Sequence, residues 1–98
     1  MQVGIQMLSE IPPEKQQEFI QSFKVLPQFK ECNDNCVFHM LFEDVGQLNR
    51  FMWVEHWRNE NAMEEYLHSD RFKTILGAVE TLGELIHFNK VKFNDFQQ

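Results

Sequence analysis

The sequence predicts an α+β domain in which a four-stranded antiparallel sheet carries helices on one side. Segments with apolar residues at every second position alternate with segments that repeat apolar residues at helical spacing, in the order β-α-β-β-α(α)-β. Two strand segments are joined by a short loop, which is typical of a hairpin. The chain has 98 residues, enough for one hydrophobic core, and contains neither a linker nor a repeat. A single domain over residues 1–98 is therefore expected.

The first half of the chain predicts a strand, a helix and a second strand. Residues 2–9 alternate between apolar and polar side chains, which is the period of a strand. Pro13 suits the first turn of a helix, where a missing N–H costs little, and Pro27 is expected to end or kink that helix. The apolar residues on one face of this helix are Phe19, Phe23 and Leu26. A turn at residues 33–35 precedes a run over residues 36–42 that predicts the second strand.

The third strand is predicted over residues 51–57, after a loop that contains residues 46–49. Asn59 is a candidate N-cap for a short helix that ends near Leu67. Asn61, which a glutamate follows three residues later, is an alternative start for the same helix. Either choice places a short acidic helix directly after the third strand.

The last part of the chain predicts a longer helix and a final strand. Ser69 is the expected N-cap of this helix, and Gly83 is its expected end. The apolar residues between them at helical spacing are Phe72, Ile75, Leu76, Val79 and Leu82. Residues 84–93 complete the sheet, and the order of elements is the split β-α-β arrangement of the ferredoxin-like fold.

The second and third strands are apolar on both faces, whereas such a sheet usually has one polar face. In the third strand, Trp53, Glu55 and Trp57 point to one side, and Met52, Val54 and His56 point to the other. In the second strand, Val37, His39 and Leu41 oppose Phe38, Met40 and Phe42. We expect the face with the two tryptophans to pack on the helices, and the other to pack on a second copy in a homodimer. The alternative is a monomer whose apolar face is partly shielded by Lys and Gln stems.

Charge and composition exclude several classes of partner. The formal net charge of -6 and the pI near 5.1 would repel nucleic acid and anionic membranes. Residues 1–11 lack the basic and apolar parts of a signal peptide, and no apolar stretch is long enough to span a bilayer. We therefore expect a cytoplasmic protein with neither a nucleic-acid nor a membrane partner.

Metal ligands and cofactor motifs are sparse. Cys32, Cys36 and His39 form a C-x3-C-x2-H pattern, but the fourth ligand and the usual second pair of a zinc site are missing. Two thiols in a reducing compartment are usually free, with a local disulfide as the alternative. The sequence has no phosphate-binding glycine loop and no carboxylate cluster for a hard cation. No metal and no other cofactor are predicted, although an apolar cleft can bind a flavin without any motif.

Two short motifs carry a resemblance to a known family. Glu55-x-Trp57 is followed by the short acidic helix and by Leu67-His68-Ser69-Asp70-x-Phe72. Over roughly residues 2–94 the chain resembles the antibiotic biosynthesis monooxygenase (ABM) domain. The resemblance implies a dimeric α/β barrel with a pocket between sheet and helices in each subunit. For some members it also implies cofactor-independent oxygenation of phenols or quinols, while others degrade haem, isomerise small molecules or have no known activity.

The resemblance also suggests which residues line the pocket. Quinol-oxidising relatives often carry His at the helix position of Tyr66, and a phenol is a poor base but a good hydrogen-bond donor. The haem-degrading branch has Asn, Trp and a haem-ligating His where this chain has Met7, Tyr66 and Leu76. Because leucine cannot bind iron, haem degradation is not expected. The predicted pocket-lining residues are Met7, Trp53, Trp57, Phe72 and Leu76.

Four titratable residues are the candidates for catalysis: Glu55, Tyr66, His39 and His87. A carboxylate on the Trp57 face must be paired, solvated or raised in pKa, and Arg58, Arg71 or a backbone donor could pair with it. His87 is expected to share a strand face with Leu85 and Asn89. The leading hypothesis is a cofactor-independent monooxygenase of phenol-like or quinol-like aromatics, prompted by the resemblance and by the excess of aromatic residues. The alternative is a non-catalytic dimer that binds or senses a small apolar ligand.

Overall fold

A computed structural model of the chain describes residues 2–25 and 35–93. Its elements are β1 (Gln2–Glu10), a 3-10 turn (Pro13–Lys15), α1 (Gln16–Val25), β2 (Cys36–Glu43), β3 (Arg50–Trp57), α2 (Glu60–Leu67), α3 (Asp70–Leu82) and β4 (Glu84–Phe93). The four strands form one sheet in the order β2-β3-β1-β4, and every neighbouring pair is antiparallel. The structure confirms the predicted α+β, ferredoxin-like fold.

The hydrophobic core lies between the sheet and the helices. The two central strands contribute every second residue to it, because alternate side chains of a strand point to the same face. From β1 and β3 these are Val3, Ile5, Met7, Phe51, Trp53 and Trp57. From the helices they are Phe19, Met63, Tyr66, Phe72, Ile75 and Val79. The prediction that the two tryptophans face the helices is confirmed.

Side-chain caps fix where α2 and α3 begin. The Asn59 carboxamide oxygen accepts a hydrogen bond from the Ala62 amide at 2.8 Å, so Asn59 rather than Asn61 caps α2. The Ser69 hydroxyl accepts from the Phe72 amide at 3.2 Å and caps α3 as predicted. Leu26, Pro27 and the turn residues 33–34 lie outside the described residues, so the predicted end of the first helix is not tested.

Gly83 ends α3, as predicted, but for a different physical reason. Its φ of -162° is extended backbone that any residue can adopt. A Cβ at this position would lie 2.3 Å from the carbonyl oxygen of Glu10 and 2.6 Å from Cδ1 of Ile11. The glycine is therefore needed for the close approach of the α3–β4 junction to the end of β1.

The β1–β4 and β2–β3 strand pairs each contain a register shift that changes the face on which a side chain lies. The β1–β4 register shifts between Leu8 and Ser9, so Leu8 pairs with His87 while Ser9 pairs with Leu85. The extra residue in β4 breaks the alternation, and the prediction that His87 and Leu85 share a face is wrong. In β2 a similar shift sets Cys36 opposite Trp57 and leaves Val37 38% exposed.

The outer face of the sheet, on the side away from the helices, is apolar as predicted. On β2, Phe38, Met40 and Phe42 are 37%, 45% and 48% exposed. On β3, Met52 and His56 are half-buried, and the His56 ring lies 4.1 Å from that of Phe38 between centroids. Across residues 2–25 and 35–93, no helix combines the length and the apolar character needed to cross a bilayer.

Candidate functional site

A buried carboxylate lies at the centre of the candidate site. Glu55 is 2% exposed, on the helix-facing side of β3. Its Oε2 accepts hydrogen bonds from Trp53 Nε1 at 2.8 Å and from Tyr66 Oη at 3.0 Å, and its Oε1 accepts from Trp57 Nε1 at 3.2 Å. We call Trp53, Glu55, Trp57 and Tyr66 the Glu55 cluster.

Local structure brings the four members of the cluster together. Three of them stand at alternate positions of β3 and therefore project from the same face of the sheet. Tyr66 comes from the last turn of α2. The Ser69 hydroxyl donates to the Tyr66 carbonyl at 2.6 Å while it caps α3, so it ties the end of one helix to the start of the next. The phenol of Tyr66 is held over β3 by this junction.

The electrostatic setting of Glu55 is unusual because its hydrogen-bond donors among the described residues are all neutral. Burial raises the pKa of Glu55 above its ordinary value of 4.5, while the bonds from Trp53, Tyr66 and Trp57 act in the opposite direction. Within the described part of the chain Glu55 has no cationic partner, so the pairing with Arg58 or Arg71 considered from the sequence does not occur. A carboxyl group in this setting can carry a proton at a higher pH than an exposed one.

Aromatic rings enclose the cluster on both sides. The Trp57 and Tyr66 rings are in a tilted contact, with centroids 4.6 Å apart and an interplanar angle of 31°. The Tyr66 ring also meets that of Phe72 edge to face at 5.4 Å. On the other side, the Trp53 ring meets that of Phe23 from α1 edge to face at 4.9 Å. These contacts fix the ring orientations and keep the carboxylate in an apolar environment.

A cleft of about 200 Å³ opens beside the cluster, where the end of β3 meets α2 and the start of α3. The residues that line it are Asn35, Trp57, Ala62, Glu65, Tyr66, Ser69 and Arg71. Pockets for drug-sized ligands have roughly 300–1,000 Å³, so this cleft suits a smaller molecule. Two members of the cluster form its aromatic wall, while one carboxylate and one guanidinium group supply charge.

The structure separates the predicted pocket residues into two groups. Trp57 and Tyr66 line the cleft. Met7, Trp53 and Phe72 are 0%, 1% and 5% exposed inside the core, and Leu76 packs at its edge. Sequence reasoning missed the other residues that line the cleft, which are Asn35, Ala62, Glu65, Ser69 and Arg71. A helical spacing could have revealed one of them, because Ala62 stands four residues before Tyr66 on α2.

The two candidate histidines lie on opposite faces of the sheet. His39 of β2 is the cross-strand partner of Glu55 and faces the helices, where its ring lies 5.2 Å from that of Phe23 between centroids. Burial lowers the pKa of His39, which favours the neutral imidazole. His87 is exposed on the outer face, opposite Leu8. The structure therefore places His39 next to the Glu55 cluster and separates His87 from it.

Of the two cysteines, one lies in the part of the chain that the structure describes. Cys36 packs at the edge of the core, where its thiol contacts the carbonyl oxygen of Phe38, and Cys32 lies outside the described residues. Among the residues that the structure describes, no three His, Cys, Asp or Glu side chains come together as metal ligands would.

Comparison with known proteins connects this site to a family. The family model for antibiotic biosynthesis monooxygenases matches residues 2–78, which include the whole Glu55 cluster and every residue that lines the cleft. The chain belongs to the antibiotic biosynthesis monooxygenase family. A relative from Bacillus subtilis (strain 168), named "Putative monooxygenase YcnE", is 30% identical over 71 residues, which cover 72% of this chain and 75% of that protein.

Solved structures share the fold of this ABM family member. A conserved protein from Methanosarcina mazei Go1 superposes with a TM-score of 0.82 at 20% identity, over 96% of this chain and 94% of that one. SnoaB from Streptomyces nogalater, described as a cofactor-independent oxygenase, superposes with a TM-score of 0.80 at 16% identity, over 97% of this chain and 95% of that one. At these identities the likeness establishes the architecture.

Proposed function

We propose that this ABM family member is a cofactor-independent monooxygenase that oxidises a small phenol-like or quinol-like aromatic in the cleft beside the Glu55 cluster. The observation that carries the proposal is the wall made by Trp57 and Tyr66, in which a phenol hydroxyl is hydrogen-bonded to a buried carboxylate. Aromatic walls suit a flat apolar ligand. The description of SnoaB as a cofactor-independent oxygenase supports the same class of reaction.

The proposed reaction balances with oxygen as its only co-substrate. A phenol with a hydrogen on the carbon para to its hydroxyl becomes a quinone. One oxygen atom of O2 enters the ring at that carbon, and the other leaves as water with the two hydrogens that the substrate loses. The phenolate reduces O2 more readily than the phenol does, so the site must first accept the hydroxyl proton. Glu55 and Tyr66 are the groups we assign to this step, with His39 as the alternative acceptor.

Oxygen uptake tests this proposal. Purified protein is mixed with a panel of hydroquinones, naphthols and anthrones in an oxygen electrode, and bound ligand is measured separately by fluorescence quenching of the tryptophans. We expect uptake above the uncatalysed background with at least one compound. Binding without any uptake would favour the second function, a non-catalytic module that binds a small apolar ligand.

We also propose that the protein is a homodimer assembled through the outer face of the sheet. Phe38, Met40 and Phe42 leave an apolar surface on that face, and a second copy related by a two-fold axis would bury it. Sedimentation at micromolar concentration should show a single species near twice 11.8 kDa. A clean monomer would contradict this assembly.

A further inference from the structure

We propose that Tyr66 and Glu55 form a two-state proton relay, in which Tyr66 accepts a proton from the ligand while its own proton passes to Glu55. The inference rests on the proposed function only in placing a phenol or enol ligand in the cleft. It explains how a tyrosine can serve a site that needs a base, although a free phenol with a pKa of about 10 is a weak one.

Tyr66 is the member of the Glu55 cluster that can pass a proton between a ligand and Glu55, because of which hydrogen bonds each side chain can donate or accept. An indole N–H can only donate, so Trp53 and Trp57 donate to Glu55 whether or not the carboxyl group carries a proton. The Tyr66 hydroxyl both donates and accepts. Of the three partners of Glu55, it alone can accept a hydrogen bond from the protonated carboxyl group.

Two arrangements of the same atoms follow. With Glu55 ionised, Tyr66 Oη donates to Oε2 at 3.0 Å, and the oxygen lone pairs can accept a bond from a ligand hydroxyl. With Glu55 protonated on Oε2, the carboxyl group donates to Tyr66 Oη, and the tyrosine proton turns away from Glu55. Tyr66 then donates to the ligand oxygen, which now carries the negative charge.

The transfer between the two arrangements balances without any redox partner. The O–H bond of the ligand breaks as an O–H bond forms at Tyr66 Oη. The original Tyr66 O–H bond breaks as one forms at Glu55 Oε2, so negative charge moves from the carboxylate to the ligand oxygen. Tyr66 is neutral before and after the step, and the strength of the base is therefore set by Glu55. Burial of a carboxylate among neutral donors favours its proton uptake.

The relay is tested with 4-nitrophenol, whose phenolate absorbs in the visible, under anaerobic conditions. When the wild-type protein binds it, we expect the phenolate spectrum, no release of a proton to a weak buffer, and a new infrared band of a protonated carboxylic acid. Glu55→Gln and Tyr66→Phe should bind the ligand in its phenol form and should lack that band. Glu60→Gln, at an exposed position on α2 away from the cleft, is the matched control and should behave as wild type.

Several outcomes would overturn the relay. These are phenolate formation with full proton release to the buffer, a carboxylic acid band that persists in Tyr66→Phe, and no binding of 4-nitrophenol at millimolar concentration. Circular dichroism checks that each variant is folded. Should Glu55→Gln unfold, Tyr66→Phe still decides the matter because it retains the carboxylate.

Failure of the relay can be told apart from failure of the proposed function. If a panel compound is oxidised, we expect kcat to fall by about a hundredfold in Glu55→Gln and Tyr66→Phe with little change in ligand Kd. Oxidation that is unchanged in both variants would refute the relay and leave the oxygenase proposal intact. Phenolate formation without oxygen uptake by any compound would refute the oxygenase proposal and leave the relay intact.

Discussion

The two faces of β3 carry alternate side chains of the same strand, but they differ in their surroundings. On the inner face, Trp53 and Trp57 are buried, and the one charged residue between them has its hydrogen bonds within the chain. On the outer face, Met52 and His56 stand beside the exposed side chains of β2. Apolar character is common to both faces. The difference is that the inner face surrounds a carboxylate whose hydrogen bonds are satisfied, whereas the outer face exposes the apolar side chains through which we propose the homodimer to form.

The largest expected effect comes from removing the carboxylate of the inner face. Glu55→Ala would leave two indole N–H groups and a phenol hydroxyl without their acceptor in a buried site. Each unsatisfied donor costs roughly 1–3 kcal/mol, so we expect a loss of about 3–5 kcal/mol in the free energy of unfolding. Urea denaturation measures it, with Glu60→Ala on the surface of α2 as the control. A loss below about 1 kcal/mol would mean that the hydrogen bonds of the cluster contribute little to stability.

A charge on the outer face should instead affect assembly. Met40 is 45% exposed in the single chain, so Met40→Glu should leave the fold intact. In the proposed homodimer it would bury an unpaired carboxylate in each copy, and we expect the dimer to weaken by about a hundredfold or more. Sedimentation velocity across a dilution series measures the change. Gln21→Glu on the exposed face of α1 is the control, and equal behaviour of the two variants would exclude this face as the interface.

A smaller effect is expected from Trp57→Phe, which keeps a ring beside Tyr66 and removes the donor to Oε1. The loss of one hydrogen bond to a carboxylate should cost about 1.5–3 kcal/mol in the free energy of unfolding. Trp53→Phe, which removes a donor to Oε2, is the matched variant. We expect similar losses of stability, but only Trp57→Phe should weaken ligand binding, because only Trp57 lines the cleft. Equal binding by both variants would indicate that the ligand lies elsewhere.

The smallest expected effect is the contribution of Glu55 to the pH dependence of the free energy of unfolding. The folded-state pKa of Glu55 is raised, so between the unfolded and folded pKa values the folded state binds more protons than the unfolded state. The stabilisation that Glu55 gains from binding this proton is fully present below the unfolded pKa and is lost as pH rises through the folded pKa. Its slope cannot exceed about 1.4 kcal/mol per pH unit for one proton. Stability of wild type minus that of Glu55→Gln, measured by urea denaturation at several pH values, should fall over this window; a rise would contradict the raised pKa.

The fold was predictable because its signals are local. The alternation in β1 and β3, the Asn59 and Ser69 caps, and the helical spacing of α3 each act within a few residues, and the structure confirms them. Errors arose at irregular pairing, where one extra residue in β4 places Leu85 and His87 on opposite faces of the sheet. A bulge depends on how two distant strands pair, which alternation within one strand does not reveal.

The candidate site was predictable only in part. That Glu55, Trp53 and Trp57 share a face follows from strand period, and the resemblance pointed to Tyr66. That all three aromatic side chains donate to one carboxylate depends on how α2 lies across β3, a tertiary relation. The same relation explains why Met7 and Phe72 are core residues while Ala62 and Ser69 line the cleft.

The stoichiometry of oxygen consumption is the sharpest test of the proposal that a phenol-like ligand is oxygenated beside Tyr66 on the inner face. Oxygen uptake, quinone formation and peroxide release are measured together for the naphthol or anthrone of the panel that gives the fastest uptake, since these have a hydrogen on the carbon para to the hydroxyl group of the phenol or enol. On this proposal, we expect one O2 consumed per quinone formed, no free peroxide, and a loss of about a hundredfold in rate in Tyr66→Phe. Uptake that yields peroxide instead of oxygenated product, or a rate unchanged in Tyr66→Phe, would contradict it.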